Sequence, residues 1–195
     1  MKAGARALGL AVSTPPDAEP TAATVAGALV RADRALDGLV FSTCTVGSTD
    51  YTDAVLDCVA SLDREDVRYV LAAGIAPAWF NVLDLRRVHE AVDRPVLSVS
   101  FEASPGLESA LREQFAGDAL ARRLETYRRQ PERVRVDGLD AWVRAVGTDA
   151  DEAAAVVRAL TPQSERRPEP LRVARIAARA GRSLHAPAGS DDRGT

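Results

Sequence analysis

The chain has 195 residues, 46% hydrophobic and 27% charged, which is enough for one large domain with a real core and excludes wholesale disorder. Basic and acidic side chains number 25 and 28, a net charge of -3. No overall field recruits polyanions, so any anion site must be a local patch. No apolar run reaches the roughly 18–20 residues that a membrane helix needs, and the start, Met1–Arg6, lacks the apolar segment of a signal peptide. A cytoplasmic protein with no membrane partner is expected.

Three β-like segments come first: Ala7–Ser13, Val25–Arg31 after a proline-containing loop (Thr14–Pro20), and Leu36–Val46. Connections this short favour antiparallel neighbours, because a parallel crossover takes a dozen or more residues. The pattern then alternates: helix Asp50–Leu62, strand Val67–Ala73, helix Val82–Val92, strand Pro95–Phe101. Alternation of this kind means right-handed crossovers and parallel pairing. A three-strand meander running into βαβ units predicts an α/β, ribonuclease H-like mixed sheet with helices on both faces. Helices Gly106–Phe115 and Asp118–Arg129 follow, then a weak strand pair, Arg133–Val136 and Ala141–Ala145. Helix Asp149–Leu160, a charged loop and a last helix, Pro170–Ala180, form a C-terminal helical extension. One domain is expected over residues 1–181, with a disordered tail over 182–195.

Cys44 and Cys58 have no CxxC partner and read as small buried hydrophobes. His89 falls in a helix's apolar register and reads as a hydrogen-bonded core histidine. With His185 so distant, no zinc site is predicted.

In sheets of this kind, ligands gather at the carboxyl ends of the parallel strands. Gly47–Asp53, Gly74–Asp84 and Glu102–Gly106 should meet there, bringing Asp50, Asp53, Asp84 and Glu102. Converging carboxylates bind Mg²⁺, which activates water against a phosphodiester. The competing reading makes Asp50 with Asp53, and Asn81 with Asp84, helix caps followed by acids that suit the helix dipole. Trp79 and Phe80 are either plugs at the core edge or a platform for stacking a base. In the last helix Val173, Ile176, Ala177 and Ala180 make the apolar stripe. Arg172, Arg175, Arg179 and Arg182 recur on one face, as a solvated surface or as a ridge that follows phosphates. A second arginine group around Tyr127, Arg122 to Arg135, reads as ordinary surface.

Four spaced segments carry a family resemblance. They are Thr49-Asp50-Tyr51-Thr52-Asp53-Ala54, the run from Gly74 through Trp79, Phe80 and Asn81 to Asp84, Arg94-Pro95-Val96, and Pro168-Glu169-Pro170-Leu171-Arg172-Val173-Ala174. In that order they resemble the archaeal endonuclease dU family, which is endonuclease V-like. The arginine-rich composition, with Lys2 the only lysine, suggests a haloarchaeal member. The resemblance covers most of residues 5–181. It implies a ribonuclease H-like domain that cuts DNA near deaminated bases with Mg or Mn, and so a hydrolase acting in DNA repair.

On that reading Asp50 and Asp84 hold the metal and Asp53 is a third catalytic acid. Trp79, Phe80, Asn81, Arg172, Arg175 and Arg179 contact DNA, or RNA. Two departures stand against activity. The acid expected at the end of the first strand is Ala11, and an expected Asp-Gly is replaced by Gly47-Ser48. Glu102 and Glu169 have no assigned role. Two alternatives follow: a catalytically impaired nucleic-acid-binding member of the family, and a nucleotide or small-molecule pocket.

Overall fold

The computed structural model describes residues 4–15 and 22–185. Strands β1 (Arg6–Ser13), β2 (Ala22–Arg31) and β3 (Leu36–Thr45) form an antiparallel meander. After helix α1 (Tyr51–Leu62), β4 (Val67–Ala73) pairs in parallel with β1. A short turn, α2 (Pro77–Phe80), and helix α3 (Leu85–Val92) lead to β5 (Val96–Ser100), parallel to β4. Helices α4 (Glu108–Gln114) and α5 (Gly117–Arg128) precede β6 (Val134–Val136) and β7 (Ala141–Val146). Helices α6 (Ala150–Leu160) and α7 (Glu169–His185) end the described chain. The sheet order is β3-β2-β1-β4-β5-β7-β6, the mixed sheet that short early connections and later crossovers predict.

Alternation along β1 sends its side chains to two different cores. Leu8 and Leu10 join Val55, Cys58, Leu85 and Val88 under α1 and α3. Ala7, Gly9 and Ala11 face the other way, toward α7. Their partners on β2 are also small: Gly9 stands opposite Ala28, and Ala11 opposite Ala26. This floor of small residues lets α7 lie close across β1 and β2, with Ala174 on Ala11 and Ala28, and Ala177 and Ala178 on Ala26. A Cβ at Gly9 would stand 2.2 Å from the Pro170 carbonyl carbon. Helix α7 is thus the lid over the centre of one face rather than an appended extension. It also runs to His185, past the predicted end at Ala180. Residues 186–195 of the expected disordered tail, and Pro16–Pro20 of the expected early loop, lie outside the described residues.

Among the described residues no helix is long and apolar enough to cross a membrane. Cys44 and Cys58 are buried free thiols, both pushed up to about 12, chiefly by burial. His89 donates from Nδ1 to the Arg94 carbonyl oxygen at 2.8 Å, a structural bond.

Substituting Gly9 by Ala should therefore destabilise the fold by roughly 3 kcal/mol or more, as for an overpacked core. Gly4→Ala serves as the control, since nothing stands within 4 Å of its added Cβ. Urea unfolding of both variants reads the difference. The Tyr51 hydroxyl is buried without a partner among the described residues. Tyr51→Phe should accordingly leave stability unchanged or raise it, by about 1 kcal/mol at most, because no satisfied hydrogen bond is lost.

Candidate functional site

The loop after β4 begins at Gly74, whose φ of +80° turns the chain sharply away from the sheet. Ala78, Trp79 and Phe80 then take φ values of +49°, +57° and +56°. Left-handed backbone at residues with a Cβ costs about 1–2 kcal/mol each, so surrounding contacts must hold this turn. Gly47 N–H donates to the Ala78 carbonyl at 2.9 Å, and Leu83 N–H to that of Ile75 at 2.8 Å. Arg123 donates to the carbonyls of Phe80, Ala119, Gly47 and Ser48 and lies 3.9 Å over the Phe115 ring. Burial pushes its guanidinium pKa down. Arg123, read from the sequence as ordinary surface, is 4% exposed and clamps this turn to the β3–α1 connection.

The capping roles differ from those the spacing predicts. Asn81 is fully buried and caps α1 from a distance: its Oδ1 accepts from Tyr51 N–H at 2.9 Å. Its Nδ2 donates to the Thr45 carbonyl at 3.0 Å and to Asp50 at 2.7 Å. It has no face left for nucleic acid, which corrects its expected contact. Asp50 turns back from α1, and both its oxygens accept from Thr45 N–H, at 3.1 and 3.0 Å. Asp84 is the cap of α3, which starts at Leu85 rather than Val82. It accepts from the N–H groups of Arg86 and Arg87 and pairs with Arg129 at 2.8 Å. Asp53 pairs on the surface with Arg87 at 2.7 Å.

Two adjoining cavities lie instead at the carboxyl ends of β1, β4 and β5. The larger, about 500 Å³, is walled by Ala11–Thr14, Gly74 and Val99–Glu102, and by Arg167, Arg175, Arg179 and Arg182. The smaller, about 300 Å³, has Ser98, Ser104, Tyr127, Arg133 and Arg144 in its wall. The two share Ala73, Gly74, Pro77, Ser100 and Glu102. Neither is lined by Asp50, Asp53, Asp84, Trp79 or Phe80. Trp79 is 57% exposed and packs edge-on against Phe80, which packs in turn on Phe115.

The arginines of α7 divide into two kinds. Arg172 is held by both oxygens of Glu169 at 2.7 Å, which lowers the Glu169 pKa. Arg175 and Arg179 form no ion pair among the described residues. Arg182 donates to the Thr14 carbonyl at 2.9 Å, and Arg167 lies 4.2 Å over the Phe101 ring. Arg167 was not foreseen; its only signal is its position in the loop immediately before α7.

A divalent cation such as Mg or Mn needs several oxygen ligands free to converge. Here the donor set does not fit. Ala11 supplies no oxygen where the first-strand acid is expected, and Glu102 is the sole carboxylate in the larger cavity. Asp50 and Asp84, expected as ligands, are occupied by backbone amides, and Asp53 is apart from both cavities. Among the described residues no group of three or more His, Cys, Asp or Glu stands where it could hold a metal.

Comparison with known proteins places this geometry in a family. Residues 3–181 match the model of the family described as endonuclease dU. A UPF0215 protein of Thermococcus kodakarensis is 33% identical over 156 residues, covering 79% of this chain and 78% of the relative. An Archaeoglobus fulgidus crystal structure of unknown function superposes with a TM-score of 0.76 at 23% identity, covering 90% of this chain and 97% of the other. Ciona intestinalis endonuclease V, solved with a 24mer DNA containing an inosine followed by a ribo-adenosine, gives 0.61 at 10% identity, covering 93% and 87%. The fold is thus shared with endonuclease V.

Removing the Asn81 side chain should have a large effect. Asn81→Ala leaves Tyr51 N–H and Asp50 short of a buried partner, a loss of roughly 1–3 kcal/mol in denaturant unfolding at neutral pH. Burial alone would raise the Asp50 pKa, but the bonds from Asn81 and Thr45 outweigh it and lower it. A depressed folded-state pKa gives stability that is present above the ordinary aspartate value and lost as pH falls through the lowered one. The acid limb of the stability curve, below about pH 4, should therefore be shallower in Asn81→Ala than in the parent chain.

Proposed function

The chain belongs to the endonuclease dU family, and from that premise we propose that it is a DNA-binding member lacking a competent metal centre for cutting. The carrying observation is the exchange of charge at the carboxyl ends of the parallel strands. Ala11 stands where an acid is expected, and Arg167, Arg175, Arg179 and Arg182 face the same cavity. Carboxylates there would repel phosphate unless a cation bridged them, whereas guanidiniums bind phosphate oxygens directly through paired N–H donors. The net charge of -3 makes this a local attraction on an otherwise repelling surface. Affinity should fall steeply with salt, as counterion release requires. Exposed Trp79, two residues after Pro77 in the cavity wall, offers a ring for stacking an unpaired base.

Hydrolysis near deaminated bases, the activity that the resemblance implies, needs free oxygen ligands, whereas Asp50 is bonded to Thr45 and Asn81 and Asp84 caps α3. Phosphate contacts remain without it. The reading favours binding over cleavage for that reason.

Two measurements test it together. Fluorescence polarisation with labelled single- and double-stranded DNA should show binding that survives EDTA. Arg175→Ala with Arg179→Ala should weaken it by about tenfold or more and lower the salt slope by about one per arginine. Arg172→Ala should change it little, since Glu169 already neutralises that side chain. Uracil- or inosine-containing DNA incubated with Mg²⁺ or Mn²⁺ should stay intact. Metal-dependent nicking, or undiminished affinity in the double variant, would overturn the reading.

A further inference from the structure

The larger cavity holds more positive charge than a passing strand would neutralise. Arg167, Arg175, Arg179 and Arg182 converge against a single carboxylate, Glu102. Elsewhere in the molecule arginines meet acids: Arg6 meets Asp37, Arg64 meets Asp66, Arg112 and Arg128 meet Glu108, and Arg172 meets Glu169. Around this cavity Arg175 and Arg179 have no such partner among the described residues. The like charges act on one another, since burial first and then Arg175 hold the Arg167 pKa below its usual value. Polar donors stand beside them in Ser13, Thr14 and Ser100, and the floor at Ala11 is only a methyl group.

A backbone phosphodiester brings one negative charge to such a site. A phosphate monoester brings about 1.5–2 at neutral pH, with three terminal oxygens for guanidinium forks. We propose that this cavity seats a terminal phosphate monoester directly on the guanidiniums of Arg167, Arg175 and Arg179, with no metal ion between them. The inference rests on the DNA-binding reading and names its ligand group: the phosphorylated end of a strand. The same chemistry is carried by a free mononucleotide or by inorganic phosphate, and the test separates these sources.

Single-stranded DNA of one sequence is prepared with a 5′-phosphate, a 3′-phosphate or hydroxyls at both ends. Binding is measured in EDTA by fluorescence polarisation. One phosphorylated form should bind about tenfold tighter or better than the hydroxyl form, a difference of about 1.4 kcal/mol. Arg175→Ala with Arg179→Ala should abolish that preference without changing the thermal midpoint, because both residues are exposed. Calorimetry with inorganic phosphate and a nucleoside 5′-monophosphate forms the second arm. If these bind as tightly as the phosphorylated strand while the hydroxyl strand does not bind, the seat stands, its ligand is a free anion, and the DNA reading falls. Equal binding of all three strands overturns the phosphate seat and leaves DNA binding intact. No binding of any strand or small phosphate removes both.

Discussion

Helix α7 reaches the sheet because β1 carries no side chain at Gly9, where a Cβ would stand 2.2 Å from the Pro170 carbonyl carbon. The rest of that face is built to the same tolerance, with Ala11, Ala26 and Ala28 as its floor. Close approach fixes the height of the helix, and its height and register fix where its arginines project. Arg175, Arg179 and Arg182, spaced to share one helix face, border the carboxyl end of β1 because Ala174, Ala177 and Ala178 are pressed onto the sheet beneath them. The arginine cluster at the strand ends is therefore a consequence of packing made some residues away.

Most of the architecture was legible in the chain. Short connections between three apolar segments require antiparallel pairing, and helices between the next two strands require crossovers. Those constraints are local and survive any choice of side-chain detail. The packing of α7 was less legible: of the expected apolar stripe only Ala177 is buried, Ile176 is 56% exposed, and Leu171, Ala174 and Ala178 face the sheet instead. Small residues at alternate positions of β1 and β2 are the available sign, although they fit any apolar strand equally well.

The candidate site was legible in position and largely not in chemistry. Cap-then-acid spacing fits Asp50 and Asp84 equally well as ligands or as helix caps, and only tertiary contacts decide. Asn81 serves α1 instead of its own helix because the left-handed turn at Ala78–Phe80 carries it across to Tyr51. That turn depends on Arg123, which joins two distant parts of the chain through the carbonyls of Phe80, Gly47 and Ser48 and takes its fourth acceptor, Ala119, from its own helix. Likewise Arg172 and Arg175 look equivalent on a helical repeat, yet Glu169, one turn earlier, neutralises only the first. Sequence periodicity has no access to such pairings.

Ala11 also sets what a single substitution could do here. An aspartate introduced at that position would place a second carboxylate, with Glu102, in a chamber walled by guanidiniums. Its nearest counter-charge there is an arginine, so the new side chain would form an internal ion pair and silence the cleft. Turning the chamber into a cation seat would take several replacements made together.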